Sequence, residues 1–395
     1  MTGEPQDERA STAGPARGST ARALLLSLAT LAGGATLAAI PAATVAISAR
    51  LFTTDEQGWI AVAVLAATFV GQVVTAALVE APLGSADTER RVAVPRWLTI
   101  ATIVATIAVM VSPPSAVLLI VALPVMLTGL ETGRQVSVAE RLDLRELAAS
   151  AFVGVGVLAG VTAGILDQWW ALIPLAAGVA GASIARGLPV AHTPSRAHPI
   201  VRRWIIADTA LVGAVIPVLN GSILALLGPS DAVLFTAVST ASGLLAIPLN
   251  FMRARLLKEH STLDILASAG AVVAGFVALL ILHFTGLLEL LFGPVWTVQT
   301  ATTALIVACA WRAASLVSSL PFAALRRIGL ARLVALLRAG GAALNFVLGT
   351  GGLIIGSAFG DGGGLVGAFL GLLLAELGVA LVYWVALRRV HRAAH

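Results

Sequence analysis

Residues 307–317 read VACAWRAASLV, a run of small and apolar side chains with Arg312 in its middle. An arginine in the hydrocarbon core of a bilayer costs roughly 2.5 to 3.5 kcal/mol on insertion scales, so it needs a compensating environment. The apolar run around it extends from 297 to 320, which is long enough to cross a bilayer as a helix. The role of Arg312 therefore depends on whether this chain lies in lipid.

The composition of the whole chain answers that question. Of its 395 residues 58% are hydrophobic and 11% are charged, and the mean hydropathy is +0.96. Because an average soluble chain is about 25% charged, these values predict a polytopic membrane protein. The single cysteine, Cys309, excludes a disulfide within one chain. The basic excess is explained by membrane topology, so we expect the lipid bilayer as a partner and no nucleic acid.

Twelve apolar runs of membrane-spanning length follow one another along the sequence. They cover residues 23–48, 58–81, 97–112, 115–133, 147–166, 168–185, 204–227, 231–252, 263–292, 297–320, 333–357 and 363–387. The predicted organisation is a disordered cytoplasmic tail (1–21), a first lobe of six helices (22–186), a cytoplasmic linker (187–203), a second lobe of six helices (204–388) and a cytoplasmic tail (389–395). Pro41 and Thr44 of the first span recur as Pro217 and Asn220 in the seventh, which favours two pseudo-symmetric lobes.

The distribution of basic residues supports this count of spans. With the amino terminus inside, nearly all arginines fall in the two tails and in the loops on the same side. The exceptions are Arg50 in an outer loop and Arg312 and Arg338 within spans. The pattern predicts a multi-pass protein of the cytoplasmic (plasma) membrane with both termini in the cytoplasm.

The charges inside the spans are the first candidate functional residues. Arg312 and Glu376 are expected at a similar depth, facing protein or a water-filled cavity, either as a structural ion pair or as groups that serve transport. Arg338 lies near the inner end of its span, where it can snorkel to the interface or reach Asp208 at a similar depth.

Polar residues inside the spans are the second set of candidates. Thr44, Gln72, Asn220 and Asn250, with the run TAVSTAS (236–242), are expected either to line a polar cavity or to form hydrogen bonds between helices. The glycine-rich stretch GTGGLIIGSAFGDGGGLVGAFLG (349–371) is interpreted as close helix packing. A phosphate-binding loop with a lysine, paired histidine and cysteine ligands, and a Ser-His-Asp set are all missing from the sequence. We therefore expect neither an enzyme nor a cofactor or metal.

Three stretches resemble a known family. Residues 287–333, LLELLFGPVWTVQTATTALIVACAWRAASLVSSLPFAALRRIGLARL, resemble the ninth-to-eleventh helix region of polysaccharide flippases in the multidrug/oligosaccharidyl-lipid/polysaccharide (MOP) exporter superfamily. Shared features are the Phe292–Gly293 pair, a long apolar helix and a basic R-x-G-x-x-R exit. Residues 47–65, ISARLFTTDEQGWIAVAVL, resemble the family's first outer loop with Gly58 at the start of helix two. Asn345 and the stretch 362–371, GGGLVGAFLG, resemble its last hairpin.

This resemblance implies a central, V-shaped cavity between the two lobes that opens alternately to each side of the membrane. The implied substrate is a saccharide linked to a polyprenyl diphosphate, moved to the outer leaflet for cell-envelope polysaccharide biosynthesis. A proton or another cation is a candidate coupling ion, and glycosyltransferases or a polymerase are candidate partners. The drug-exporting branch of the superfamily usually carries acids in its first or seventh helix, whereas here the seventh has only Asp208, near its cytoplasmic end.

Other functions stay open at this point. An ion-coupled multidrug or small-molecule exporter of the same superfamily is one alternative. A non-transporting membrane scaffold for envelope assembly is another. The loop LGSADTERR (83–91) also has a faint likeness to a loop of major facilitator transporters, but it lacks that loop's inner glycine.

Overall fold

The computed structural model describes residues 17–84, 91–189, 198–249, 262–328, 330–360 and 362–393. The regular structure within these ranges is entirely helical. We label the long helices α1 (Arg17–Leu51), α2 (Thr54–Thr75), α3 (Arg96–Val111), α4 (Ala116–Ala139), α5 (Asp143–Ile165), α6 (Leu172–Gly187), α7 (Pro199–Gly213 and Val215–Leu226), α8 (Pro229–Gly243), α9 (Thr262–Phe284), α10 (Val298–Arg327), α11 (Ala331–Ser357) and α12 (Gly363–Ala393).

Each predicted span overlaps one of these helices, although the eighth, 231–252, was predicted to continue past Gly243, where α8 ends. Within the described ranges, nine helices are long and apolar enough to cross a membrane, and α3 and α6 are shorter apolar helices. Large apolar side chains on their outer faces are exposed, among them Val104, Leu158, Leu266 and Leu381. A continuous apolar exterior of this kind has lipid as its natural solvent. The chain is an all-α, multi-pass membrane protein, as its composition predicts.

The ninth predicted span, 263–292, is wrong at its outer end. The structure ends α9 at Phe284 and starts a separate short helix at Leu287–Phe292. Gly286 between them has a φ of 77°, a left-handed conformation that glycine adopts at no steric cost. Hydropathy alone does not detect this break, because both flanking segments are apolar.

Two other helices change geometry along their length. The inner end of α2 passes into a π-helical turn, Ala76–Glu80, before a last turn at Ala81–Gly84. The two pieces of α7 meet at Ala214. Such π-helical turns are frequent at functional sites, and this one places Glu80 next to α7, which packs against it.

The helices pack as two groups of six. In the first group α2 packs on α4, α5 on α1 and α6, and α3 on α6; in the second group α12 packs on both α10 and α11. The groups meet mainly where α2 contacts α7 and α8. At this contact Asn220 donates from Nδ2 to Thr236 Oγ1 (2.9 Å). The Thr236 hydroxyl has two carbonyl acceptors for its single hydrogen, Ala232 in its own helix (3.0 Å) and Ala61 of α2 (3.3 Å), so this buried polar cluster lies at the contact between the groups.

Glycines bring α11 and α12 into backbone contact. A Cβ added to Gly352 would lie 2.1 Å from the carbonyl oxygen of Gly367, and one added to Gly356 would lie 2.2 Å from that of Gly363. The interpretation of the 349–371 stretch as close helix packing is therefore confirmed. Because the glycines have no side chain, the backbones of α11 and α12 approach closely, and these contacts set the distance between the two helices.

Alanine at Gly352 is expected to destabilise the protein, whereas alanine at the adjacent Gly351 is not. The added methyl at Gly352 overlaps a carbonyl oxygen of α12, and overpacking of this kind costs about 1 to 3 kcal/mol. A Cβ at Gly351 meets no described atom within 4 Å. Thermal unfolding of the two purified variants in detergent measures the difference, and equal unfolding temperatures would contradict the packing described above.

Candidate functional site

A cavity of about 750 Å³ lies between α2, α7, α8, α10, α11 and α12. It occupies the half of the second group where α10 ends and α11 begins. Its polar lining residues are Gln72, Arg312, Ser315, Ser318, Ser319, Arg326, Arg338, Asn345, Glu376 and Tyr383. Polar and charged side chains of this density are expensive inside a membrane unless they face water or one another, which marks the cavity as the candidate functional site.

One face of α10 supplies much of this polar lining. Arg312, Ser315, Ser319 and Arg326 recur every three, four or seven residues, so they lie on the same side of the helix. Ser315 donates from its hydroxyl to the carbonyl oxygen of Arg312 (2.6 Å), and Ser319 donates to that of Ser315 (2.5 Å). These hydroxyls therefore donate to backbone carbonyls within the helix while they line the cavity.

Arg312 faces this cavity, which answers the question raised by its place in an apolar run. Its guanidinium carbon lies 4.0 Å from the ring centroid of Trp311, and both side chains are part of the cavity wall. A cation over an indole face is stabilised by about 0.5 to 2 kcal/mol, depending on desolvation. The tryptophan thus stabilises a positive charge at the centre of the second group of helices.

Glu376, on α12, is in the wall of the same cavity, as the similar depths of the two residues predict. Its Oε1 accepts a hydrogen bond from the Ser318 hydroxyl at 2.5 Å. Ser318 thereby connects α10 to α12. The cavity consequently contains the carboxylate of Glu376, which accepts a hydrogen bond from Ser318 of α10. It also contains the guanidinium of Arg312, which belongs to the same helix.

Arg338 makes an ion pair at the mouth of the cavity. Its Nη1 lies 2.6 Å from Oδ2 of Asp208, and the two side chains are 31% and 27% exposed. Of the two outcomes expected for Arg338, contact with Asp208 is the one observed. Partly exposed ion pairs contribute about 0 to 1 kcal/mol, so an incoming anion can compete for this guanidinium. Glu80 interacts electrostatically with both members of this pair and with Arg326.

The remaining predicted residues are distributed differently. Gln72 lines the cavity from α2. Thr44 and Asn220 are fully buried elsewhere, where Thr44 donates to the carbonyl oxygen of Ile40 in its own helix and Asn220 donates to Thr236 on α8. The expected bond between helices is therefore seen for Asn220 and not for Thr44. Asn250 lies outside the described residues.

Sequence reasoning missed two features. Arg326 was assigned to a cytoplasmic loop, but it lies on α10 and lines the cavity. Arg186 was also assigned to a cytoplasmic segment, but it is buried at the end of α6, where it forms a two-pronged ion pair with Glu146. A helix-face analysis of α10 could have found Arg326. Nothing local in the sequence indicates that Arg186 pairs with Glu146.

The charges of the cavity differ from those at the opposite end of the second group. Three arginines and one glutamate line the 750 Å³ cavity. A second cavity of about 1360 Å³, between the outer ends of α8, α10, α11 and α12, has Asp231 as its charged residue among those described. Arginines therefore outnumber acids among the residues that line the smaller cavity, and Asp208 pairs with one of them, Arg338.

Comparison with known proteins identifies the fold. No protein-family model matches the sequence, and no curated protein matches it. A crystal structure of a MATE mutant matches with a TM-score of 0.54 and 15% identity, over 94% of this chain and 96% of that chain. The Vibrio cholerae MATE transporter VcmN, solved as a mutant, matches with a TM-score of 0.53 and 14% identity, over 95% and 98%. A MATE structure in the bent conformation gives 0.50 and 13%, over 95% and 96%.

These likenesses extend over nearly the whole chain in both directions, so they concern the complete arrangement of helices. The chain has the fold of the MATE transporters. The predicted fold class, an all-α polytopic membrane protein, is thereby confirmed. We call α1–α6 the first lobe and α7–α12 the second lobe from here on.

Proposed function

We propose that this chain, built on the MATE fold, is a flippase that moves a polyprenyl-diphosphate-linked saccharide across the cytoplasmic membrane for cell-envelope polysaccharide biosynthesis. The observation that carries the proposal is the set of three arginines, Arg312, Arg326 and Arg338, that line the 750 Å³ cavity. A diphosphate is doubly to triply anionic, and planar guanidinium groups bind phosphate oxygens in pairs. A cavity built for cationic drugs would need the opposite charge.

The arrangement also supplies what a saccharide needs. Sugar hydroxyls require hydrogen-bond partners that replace water, and the cavity wall contains the hydroxyls of Ser315 and Tyr383 and the amides of Gln72 and Asn345. Trp311 adds an aromatic surface. The polyprenyl chain needs no polar cavity and stays in the lipid during the transfer.

Movement follows from competition for Arg338. The Arg338–Asp208 pair joins α11 to α7 beside the cavity. A diphosphate that takes over the guanidinium releases Asp208, so the bound headgroup changes the balance of interactions between these helices. No bond in the substrate changes; the protein lowers the barrier for a polar headgroup to cross hydrocarbon.

One observation favours a second candidate, an ion-coupled exporter of small molecules. Glu376 presents a carboxylate in the cavity, and a hydroxyl from Ser318 lies beside it. Such a group can exchange a proton or bind a small cation during transport. In the flippase this same carboxylate is the proposed coupling site, so the identity of the transported species separates the two functions.

Headgroup translocation in proteoliposomes tests the proposal. The purified protein is reconstituted with a fluorescent polyprenyl-diphosphate disaccharide, and an impermeant quencher reports which leaflet holds the headgroup. We expect the quenchable fraction to change at a rate that depends on the amount of protein, and a matched neutral glycolipid without the diphosphate to move at the rate of empty vesicles.

Two other outcomes of this assay would support the exporter or the scaffold instead. Efflux of a cationic dye without movement of the diphosphate lipid would establish the exporter. Tight binding of the diphosphate lipid without movement would establish a scaffold that holds envelope intermediates. Either result overturns the flippase.

A further inference from the structure

The packing of α9 is restricted to one narrow face. Its buried residues recur at helical spacing along that face: Ser268, Val272, Leu279 and His283. Large apolar side chains on the remaining surface, such as Leu266, Val273 and Ile281, are exposed. In a membrane protein this surface faces lipid, so α9 is attached to the second lobe along a single line of contacts.

That line of contacts lies over a slot between α8 and α10. A Cβ at Gly275 would lie 2.7 Å from Leu245 Cδ2 on the α8 side. On the α10 side, Ile265 packs with Leu316 and Leu320 around Ala323. Through apolar side chains, α9 thus contacts α10 with its inner half, and near its middle it contacts the turn that follows α8.

The candidate cavity lies directly behind this slot. Ala246 follows Leu245 in the chain and lines the cavity, and Ser315 and Ser319 alternate with Leu316 and Leu320 on α10. Neighbouring residues on a helix project about 100° apart, so the faces that contact α9 adjoin the faces that line the cavity. The inner half of α9 therefore packs beside the wall of the cavity, on the side of α10 that adjoins its lining.

The outer end of α9 is held by hydrogen bonds instead. The indole Nε1 of Trp296 donates to His283 Nδ1 at 3.1 Å, and His283 Nε2 lies 2.7 Å from Thr302 Oγ1. Because an indole nitrogen can only donate, Nδ1 of His283 carries no proton, and Nε2–H donates to the threonine hydroxyl. A neutral, fully bonded histidine thus fixes the outer end of α9 to the start of α10.

We propose that the slot between α8 and α10 is the binding groove for the isoprenoid chain of the substrate, and that the inner half of α9 swings out of it while the outer end stays fixed. This inference rests on the proposed function, since it supplies the lipid tail with a path beside a headgroup held in the cavity. An isoprenoid chain replaces the α9 side chains at little cost, because both are apolar and lipid solvates the displaced helix.

A reversible cross-link across the slot tests the inference. Cysteines replace Ile265 and Ala323, which pack together, in a Cys309→Ala background, and the two single-cysteine variants are the controls. Translocation of a long-chain polyprenyl-diphosphate disaccharide is compared with that of a matched lipid with a chain of two isoprene units, before and after oxidation. A diazirine-bearing isoprenoid diphosphate separately maps, by mass spectrometry, which residues the chain touches.

We expect oxidation to slow the long-chain lipid by about tenfold or more and the short-chain lipid by less than about twofold, because only the long tail needs the slot. Oxidation should also abolish diazirine labelling of the 245–249 and 316–323 segments, and reductant should restore both signals. Unchanged long-chain translocation and labelling after complete cross-linking would overturn the role of α9 while leaving the flippase intact. If neither lipid is translocated by the reduced protein, the proposed flippase activity is wrong. If diazirine labelling is then also the same before and after cross-linking, the proposed binding groove is wrong as well.

Discussion

Replacing Arg312 with glutamine is expected to weaken binding of a polyprenyl diphosphate by about 10- to 100-fold. One hydrogen bond to a charged group contributes about 1.5 to 3 kcal/mol, and each 1.4 kcal/mol corresponds to a factor of ten. Arg312 lies on the cavity face of α10 with its charge stabilised over Trp311, so it is positioned for an anion at the centre of the second lobe. Titration of the detergent-solubilised variant with the lipid measures the loss.

Two further variants separate charge from structure. Arg312→Lys keeps the charge but loses the planar fork, so its affinity should fall between those of the parent and the glutamine variant. Arg50→Gln is the matched control, because Arg50 lies at the outer end of α1, where its Nη2 donates to the carbonyl oxygen of Leu290 (2.8 Å), far from the cavity. Equal losses of affinity in Arg50→Gln and Arg312→Gln would remove the special role of the cavity arginine.

Replacing Glu146 with alanine is expected to destabilise the first lobe by about 3 to 5 kcal/mol, because it leaves the buried guanidinium of Arg186 without its carboxylate. The two side chains are each 2% exposed. The pair is joined by two hydrogen bonds, Nε to Oε2 at 2.9 Å and Nη2 to Oε1 at 2.6 Å. Thermal unfolding in detergent, followed by loss of the monodisperse peak, measures the effect.

The double variant Glu146→Leu with Arg186→Leu gives the second half of this test. Removing both charges removes the desolvation cost together with the attraction, so the double variant should be more stable than Glu146→Ala and close to the parent. A double variant as unstable as the single one would show that packing around these residues, and not the isolated charge, causes the loss. Arg186 also donates to the carbonyl oxygen of Leu130 (3.3 Å), which ties α6 to α4.

Much of the fold was predictable, because lipid imposes simple rules on a chain. Hydrocarbon thickness sets the length of a span, and the cytoplasmic preference of arginine sets its direction. The same reasoning relates depths. Counting residues from the inner ends of the spans brought Arg338 to the level of Asp208 and Arg312 to the level of Glu376. The depth of a residue in the membrane depends on its position along a span, so it can be counted directly from the sequence.

The direction in which a side chain points was less predictable. Helices of this chain are apolar on several sides, so the usual contrast between a polar and an apolar face is weak, and Thr44 and Asn220 could not be assigned to a cavity or to a contact. The Arg186–Glu146 pair was missed for a related reason. An arginine at the end of a span looks like a loop charge, and only the packing of α6 against α5 reveals its partner.

Protection of a cysteine in the cavity tests the central claim, that the arginine-lined cavity holds the diphosphate headgroup. Ser315→Cys in a Cys309→Ala background places a thiol in the cavity wall, and Ser357→Cys places one in the larger cavity at the opposite end. A soluble thiol reagent is applied to each variant with and without a short-chain isoprenoid diphosphate. We expect the diphosphate to slow labelling at position 315 by about tenfold, as for any site shielded by a bound ligand, and to leave position 357 unchanged. Equal labelling rates at position 315 with and without saturating diphosphate would contradict the account.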